Sequence, residues 1–172
     1  GSTPDERGIK FKVPFPCRVT GCWSWMDANS DFDMNLYDSD GTTVLANGGS
    51  GASLSVANAS NTRLGGAGGI HFLPFKGTAN LTKDTFYRLV VTPISVTNLT
   101  VYSLSVPAVG ILDMYTGGQD LHHTERTNAG AWTDVTTDRT YVGLIIDQFD
   151  DGAGSGGGSI LAGAGIGLIA GL

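Results

Sequence analysis

The stretch Phe32-Asp33-Met34-Asn35-Leu36-Tyr37-Asp38-Ser39-Asp40-Gly41-Thr42 decides the fold class. Phe32, Met34 and Leu36 alternate with Asp33 and Asn35, the two-residue period of an antiparallel strand with one buried and one exposed face. The Asp40-Gly41 pair reads as a hairpin turn, with Gly41 supplying a positive φ that a side chain would resist. Residues 42–46 then return as the partner strand.

Working outward, the same alternation recurs on both sides. Residues 8–13 alternate Ile9, Phe11 and Val13 against Lys10 and Lys12 until Pro14 and Pro16 break the pattern. Residues 17–26, rich in Val and Trp, read as a second strand. Further strands are expected at 70–75, 85–92 and 98–106, the last two joined as a hairpin through residues 93–97. A strand is also expected at 119–126, with Trp132 near a bend. Residues 140–147 form the most hydrophobic run and are expected as a central strand. Between 47 and 69 the chain is nearly all Gly, Ser, Ala and Asn, so a short edge strand and much loop are expected. About seven or eight short strands without a helical crossover are the signature of an antiparallel β-sandwich or jelly roll. The expected organisation is a β-sandwich over 8–148, a Gly-rich linker over 149–159 and an apolar tail over 160–172.

Composition narrows the function. The 172 residues include 26 Gly without a collagen-like period, and only 15% are charged against 41% hydrophobic. Such texture suits extracellular and virion β-proteins more than helical cytosolic enzymes. The net charge of −6, with ten scattered Lys and Arg, argues against nucleic acid as a partner. It also leaves no polybasic segment for an anionic membrane. Cys17 and Cys22 on one extended strand would point to opposite faces, roughly 16 Å apart at about 3.3 Å per residue. A disulfide would need a turn between them, and two small buried hydrophobes is the simpler reading. The opening Gly1-Ser2-Thr3-Pro4, with neither initiator Met nor signal peptide, reads as a processed product or the end of a longer chain. Gly1-Ser2 equally suits a cloning remnant.

Candidate sites are few. Asp27, Asn29 and Asp31 have the spacing that opens a calcium loop, with Asp38 at its twelfth position. Phe32 stands where that loop needs Gly, so an EF-hand cannot close, and an acidic strand-connecting turn is favoured over another kind of calcium site. Asp120, His122, His123 and Glu125 are of metal-ligand type. On a strand they divide between two faces, which leaves solvent-facing or interface histidines as the expectation. No nucleophile elbow or phosphate loop is present, so no catalytic residue and no cofactor are expected. Trp23 and Trp25 share one strand face, opposite Met26; buried they are core, exposed they are a flat platform of the kind that stacks on sugar rings. Three sequons, at Asn58, Asn80 and Asn98, matter only in a host that glycosylates.

The tail of residues 160–172 carries no charge and offers Ile160, Leu161, Ile166, Leu168, Ile169 and Leu172. It is too short for a membrane span, which needs about 20 residues. Such side chains dock on their own domain or on a neighbouring subunit, and the neighbour is the favoured expectation.

Two stretches carry resemblances. Asp31–Thr42 with the run Tyr87-Arg88-Leu89-Val90-Val91 resembles the pre-peptidase C-terminal domains of secreted hydrolases. That resemblance implies a non-catalytic β-sandwich over about residues 9–106, in a family where some members bind calcium or polysaccharide. Gly117-Gly118-Gln119, then Glu125-Arg126-Thr127-Asn128-Ala129-Gly130-Ala131-Trp132-Thr133-Asp134 and Gly143-Leu144-Ile145-Ile146-Asp147, resembles the C-terminal β-sandwich region of tailed-phage structural proteins. It spans about residues 110–152 and implies a virion component: a head decoration, head fibre or tail-associated domain. Its partners would be other copies of itself or other virion proteins, at a virion surface. The alternative is a secreted carbohydrate-binding or adhesin-type appendage of a larger extracellular protein, with surface glycans as partners.

Overall fold

The computed structural model describes residues 5–27, 32–49, 63–64, 69–93, 100–105, 121–149 and 167–168. Among them there is no helix. In chain order the strands begin with β1 (Glu6–Lys12), β2 (Cys17–Asp27), β3 (Phe32–Tyr37), β4 (Val44–Gly49) and β5 (Arg63–Leu64). Next come β6 (Ile70–Leu81), β7 (Phe86–Pro93), β8 (Thr100–Val101), β9 (Ser103–Ser105) and β10 (Leu121–Arg126). The last are β11 (Thr133–Val135), β12 (Asp138–Thr140), β13 (Val142–Phe149) and β14 (Gly167–Leu168).

Two antiparallel sheets pack face to face as a β-sandwich. The first has the order β11-β10-β1-β7-β3-β4, and the second β14-β13-β2-β6-β5, with β8 also paired to β2. A two-stranded piece, β9 with β12, lies between them in the chain's path. The core takes alternate residues from each inner face: Ile9, Phe11, Met34, Leu36, Tyr87, Leu89 and Val91 from the first sheet. Val19, Cys22, Met26, Leu73, Leu81, Val142, Leu144 and Ile146 come from the second. Phe32, Met34 and Leu36 are buried as the alternation predicts, and β3 has the predicted bounds.

Pairing across the sheets departs from expectation in two places. Residues 85–92 do not form a hairpin with residues 100–105, the described part of the expected 98–106 strand. Both sides of β7 are taken, by β1 and β3, so the later segment crosses to the second sheet and pairs with β2 and β12. Nor is the 140–147 run a central strand. Among the described residues β13 lies next to the end of the second sheet, with β2 on one side and the two residues of β14 on the other.

Cys17 and Cys22 do not face opposite ways. A β-bulge between Val19 and Gly21 shifts β2 by one residue, so both thiols enter the same core, buried and unbridged. Burial pushes both thiols up in pKa.

Candidate functional site

The outer face of the first sheet carries a charged network under an aromatic roof. Its anchor is the β3–β4 turn, where the Asp40 carboxylate accepts the Thr42 and Thr43 N–H groups, each at 2.8 Å, and the Thr43 hydroxyl at 2.6 Å. The Thr43 side-chain and backbone bonds hold the Asp40 carboxyl well below the usual carboxylate range. Gly41 sits at φ +69°, as the turn predicts, and its carbonyl accepts the Trp132 indole N–H at 2.8 Å.

Trp132 reaches that carbonyl because residues 127–130 turn tightly. Asn128 and Ala129 have φ of 51° and 55°, and the Gly130 N–H closes on the Thr127 carbonyl at 2.9 Å, the geometry of a type I′ turn. The indole then lies between two guanidiniums, Arg126 at 4.3 Å and Arg88 at 5.1 Å from its ring, with Tyr37 edge-on at 5.7 Å.

Beneath it, Glu6 accepts the Tyr37 and Thr92 hydroxyls, each at 2.8 Å, and is ion-paired with Arg126. Burial, then the bond to Glu6, pushes the Tyr37 phenol up to about 12. Asp134 accepts Lys10 at 2.8 Å, the Thr124 hydroxyl at 2.7 Å and Arg88 at 3.2 Å. Burial alone would raise the Asp134 carboxyl, but the Lys10 and Thr124 bonds and the Arg88 charge outweigh it and hold it at about 2. Each carboxylate is thus engaged by cations, and the network ties β1, β3, β7, β10 and β11 together.

The histidines of β10 are not solvent-facing. His122 is buried, and its Nε2 lies 3.7 Å from Asp134, too far for a hydrogen bond. Among the described residues neither of its ring nitrogens has a hydrogen-bond partner. Burial pushes its pKa down, and Lys10 and Arg139 add to that against the pull of Asp134. His123 points the other way, with Nδ1 2.7 Å from the Thr140 hydroxyl. That hydroxyl donates to the Gly8 carbonyl at 2.9 Å, so Nδ1 is the donor toward it. β10 lies between β11 and β1, and Asp134 and Lys10 from those strands flank His122.

The outer face of the second sheet is aromatic. Trp23 and Trp25 stand outside the core cluster, but they differ. Trp23 is buried against Gly143, where a Cβ would come within 2.4 Å of its indole nitrogen. Trp25 is 40% exposed and packs against Tyr102 at 5.4 Å and Tyr141 at 5.3 Å, the ring planes inclined by 45° and 50°. A closed triangle of backbone hydrogen bonds joins the three residues. Trp25 N–H donates to the Tyr141 carbonyl at 2.8 Å, Tyr141 N–H to Tyr102 at 2.9 Å, and Tyr102 N–H to Trp25 at 3.2 Å. Tyr102 separates β8 from β9, and Tyr141 separates β12 from β13. Both tyrosines therefore mark points where a strand changes partner, which brings two distant segments to Trp25. The sequence singles out Trp25 but neither tyrosine, because partner exchange leaves no local periodicity.

Of the calcium-type residues, Asp27 ends β2 with its backbone paired to Thr100, while Asn29 and Asp31 lie outside the described residues. Among the described residues, no three His, Cys, Asp or Glu side chains gather where they could hold a metal. Within the tail, Gly167 and Leu168 pair antiparallel with Ile146 and Ile145 at the edge of β13. Ile160, Leu161, Ile166, Ile169 and Leu172 lie outside the described residues, as does the Gly-rich segment after Phe149. Among the described residues no helix is long and apolar enough to cross a membrane.

Compared with models of known protein families and with curated proteins, the chain matches none.

Proposed function

We propose that this chain is a non-catalytic structural module of a virus particle, a head decoration, head fibre or tail-associated domain that acts through protein–protein assembly. The observation that carries the reading is the pairing of Gly167–Leu168 with Ile145–Ile146. The edge of β13 accepts an apolar strand, and strand addition supplies main-chain hydrogen bonds together with hydrophobic burial. Here that edge is filled by the chain's own Gly167–Leu168, the own-domain docking; in a many-copy particle the same edge is expected to receive the tail of a neighbour instead. The resemblance of residues 110–152 to tailed-phage proteins supports this context, as do the low content of charged residues and the net charge of −6.

The test compares the full chain with one lacking residues 160–172, by solution mass and by electron microscopy. The expected result is a full chain that forms ordered oligomers and a truncated chain that stays folded as a monomer. A truncated chain that assembles normally, or that unfolds, overturns the reading.

A further inference from the structure

The aromatic junction has a use separate from assembly. Three features set it apart from a scatter of surface rings. Its residues come from positions 25, 102 and 141, and the closed backbone triangle fixes their mutual spacing before any ligand arrives. The central indole is 40% exposed and Tyr102 37% exposed, so ring surface is open to solvent. Hydroxyl-bearing side chains stand along the same segment, with Thr100, Ser103 and Ser105 all exposed.

We propose that Trp25, Tyr102 and Tyr141 form a carbohydrate-binding cradle for neutral, β-linked glucose- or N-acetylglucosamine-type rings. Pyranoses with equatorial substituents present flat C–H faces, which stack on an indole, and the phenol hydroxyls at the rim pair with sugar hydroxyls. Size separates this occupant from a protein. An aromatic side chain carries roughly 150–250 Å² of surface, so Trp25 and Tyr102 together expose on the order of 150–200 Å². That area matches one or two sugar rings, whereas a stable protein contact needs about 800 Å² per partner. The net charge of −6 selects neutral over anionic glycans. Trp23 takes no part, because it is buried against Gly143. Preset rings also spare the ligand the ordering cost that mobile side chains would impose.

The experiment titrates the full chain with cellotetraose and with the tetramer of N-acetylglucosamine, read by calorimetry and by ligand-observed NMR. Saturable binding to at least one is expected. Trp25→Ala should weaken it tenfold or more, and Tyr102→Phe and Tyr141→Phe should weaken it a few-fold, all in chains that still unfold cooperatively. No saturable binding to either tetrasaccharide overturns the proposal, and so does a folded Trp25→Ala chain that binds as well as wild type. A Trp25→Ala chain whose only change is a smaller assembly makes the junction a protein contact and also overturns it. A chain lacking residues 160–172 that still binds the sugar supports the cradle whatever happens to assembly, so the two readings fail independently.

Discussion

On the outer face of the first sheet Glu6, Arg88 and His122 are buried within the charged network, whereas on the outer face of the second Trp25 is two-fifths exposed beside two tyrosines. Each face reverses what its side chains would do alone. Charge withdrawn from water is costly unless it is paired and hydrogen-bonded, and the first face supplies Glu6 and Asp134 with cations and hydroxyls. Aromatic surface left in water forgoes about 25 cal/mol for every Å² that stays wet. Trp25 forgoes that burial in the isolated domain. The contrast teaches that the first outer face commits its polar groups to the fold, while the second leaves part of its aromatic surface in water.

The strongest way to break the contrast is to remove one buried charge. Glu6→Ala leaves Arg126 without its carboxylate and strips the Tyr37 and Thr92 hydroxyls of their acceptor. Denaturant unfolding should show a loss of about 3–5 kcal/mol. A loss below about 1 kcal/mol would mean that water already reaches this network.

Next in size is Gly41→Val, which strikes the roof through the turn. A β-branched residue resists φ +69°, and a Cβ there would come within 2.8 Å of the Trp132 indole nitrogen. The expected loss is about 2–3 kcal/mol, and an unchanged melting temperature would show that the indole swings away without cost.

Acid tests the same face without mutation, and the lowered pKa values of His122 and Asp134 act in one direction. The buried His122 has a folded pKa below its ordinary 6.5, so the unfolded chain takes up that proton first and stability falls as pH drops through 6.5. Asp134 is held at about 2 against an ordinary 3.8, so its contribution is complete above about pH 4 and is lost as pH falls toward 2. Melting temperature should therefore decline in two stages. His122→Gln should remove the upper stage and keep the lower one. A profile that stays flat between pH 7 and 5 would refute a buried neutral His122.

The smallest effect belongs to the second face. Trp25→Ala should cost about 1–2 kcal/mol, because the indole lies outside the core and is two-fifths exposed but still packs on Tyr102 and Tyr141. A loss comparable to that of Glu6→Ala would make Trp25 part of the fold and erase the contrast.

Much of the framework is legible from local pattern. β3 matches its predicted bounds because alternation and the Asp40-Gly41 turn are both short-range signals. What escapes is whatever depends on a distant partner. The pairing of residues 98–106 depends on β7 being enclosed by β1 and β3. The common inward face of Cys17 and Cys22 depends on a bulge that no turn residue announces. The burial of His122 depends on β10 lying inside the sheet, and the aromatic junction on two strands that change partner at Tyr102 and Tyr141. Ala129 marks the limit from the other side, since an Ala at positive φ in a type I′ turn runs against the residue preference that would reveal it.

The two core thiols carry a further consequence. Both are enclosed and unbridged, and burial disfavours their thiolates, the form that reacts with oxidants and disulfides. The described sandwich therefore does not depend on a disulfide between Cys17 and Cys22. Thiol reagents should label Cys17 and Cys22 only at the rate at which the sandwich opens, which turns this pair into a built-in clock for its unfolding.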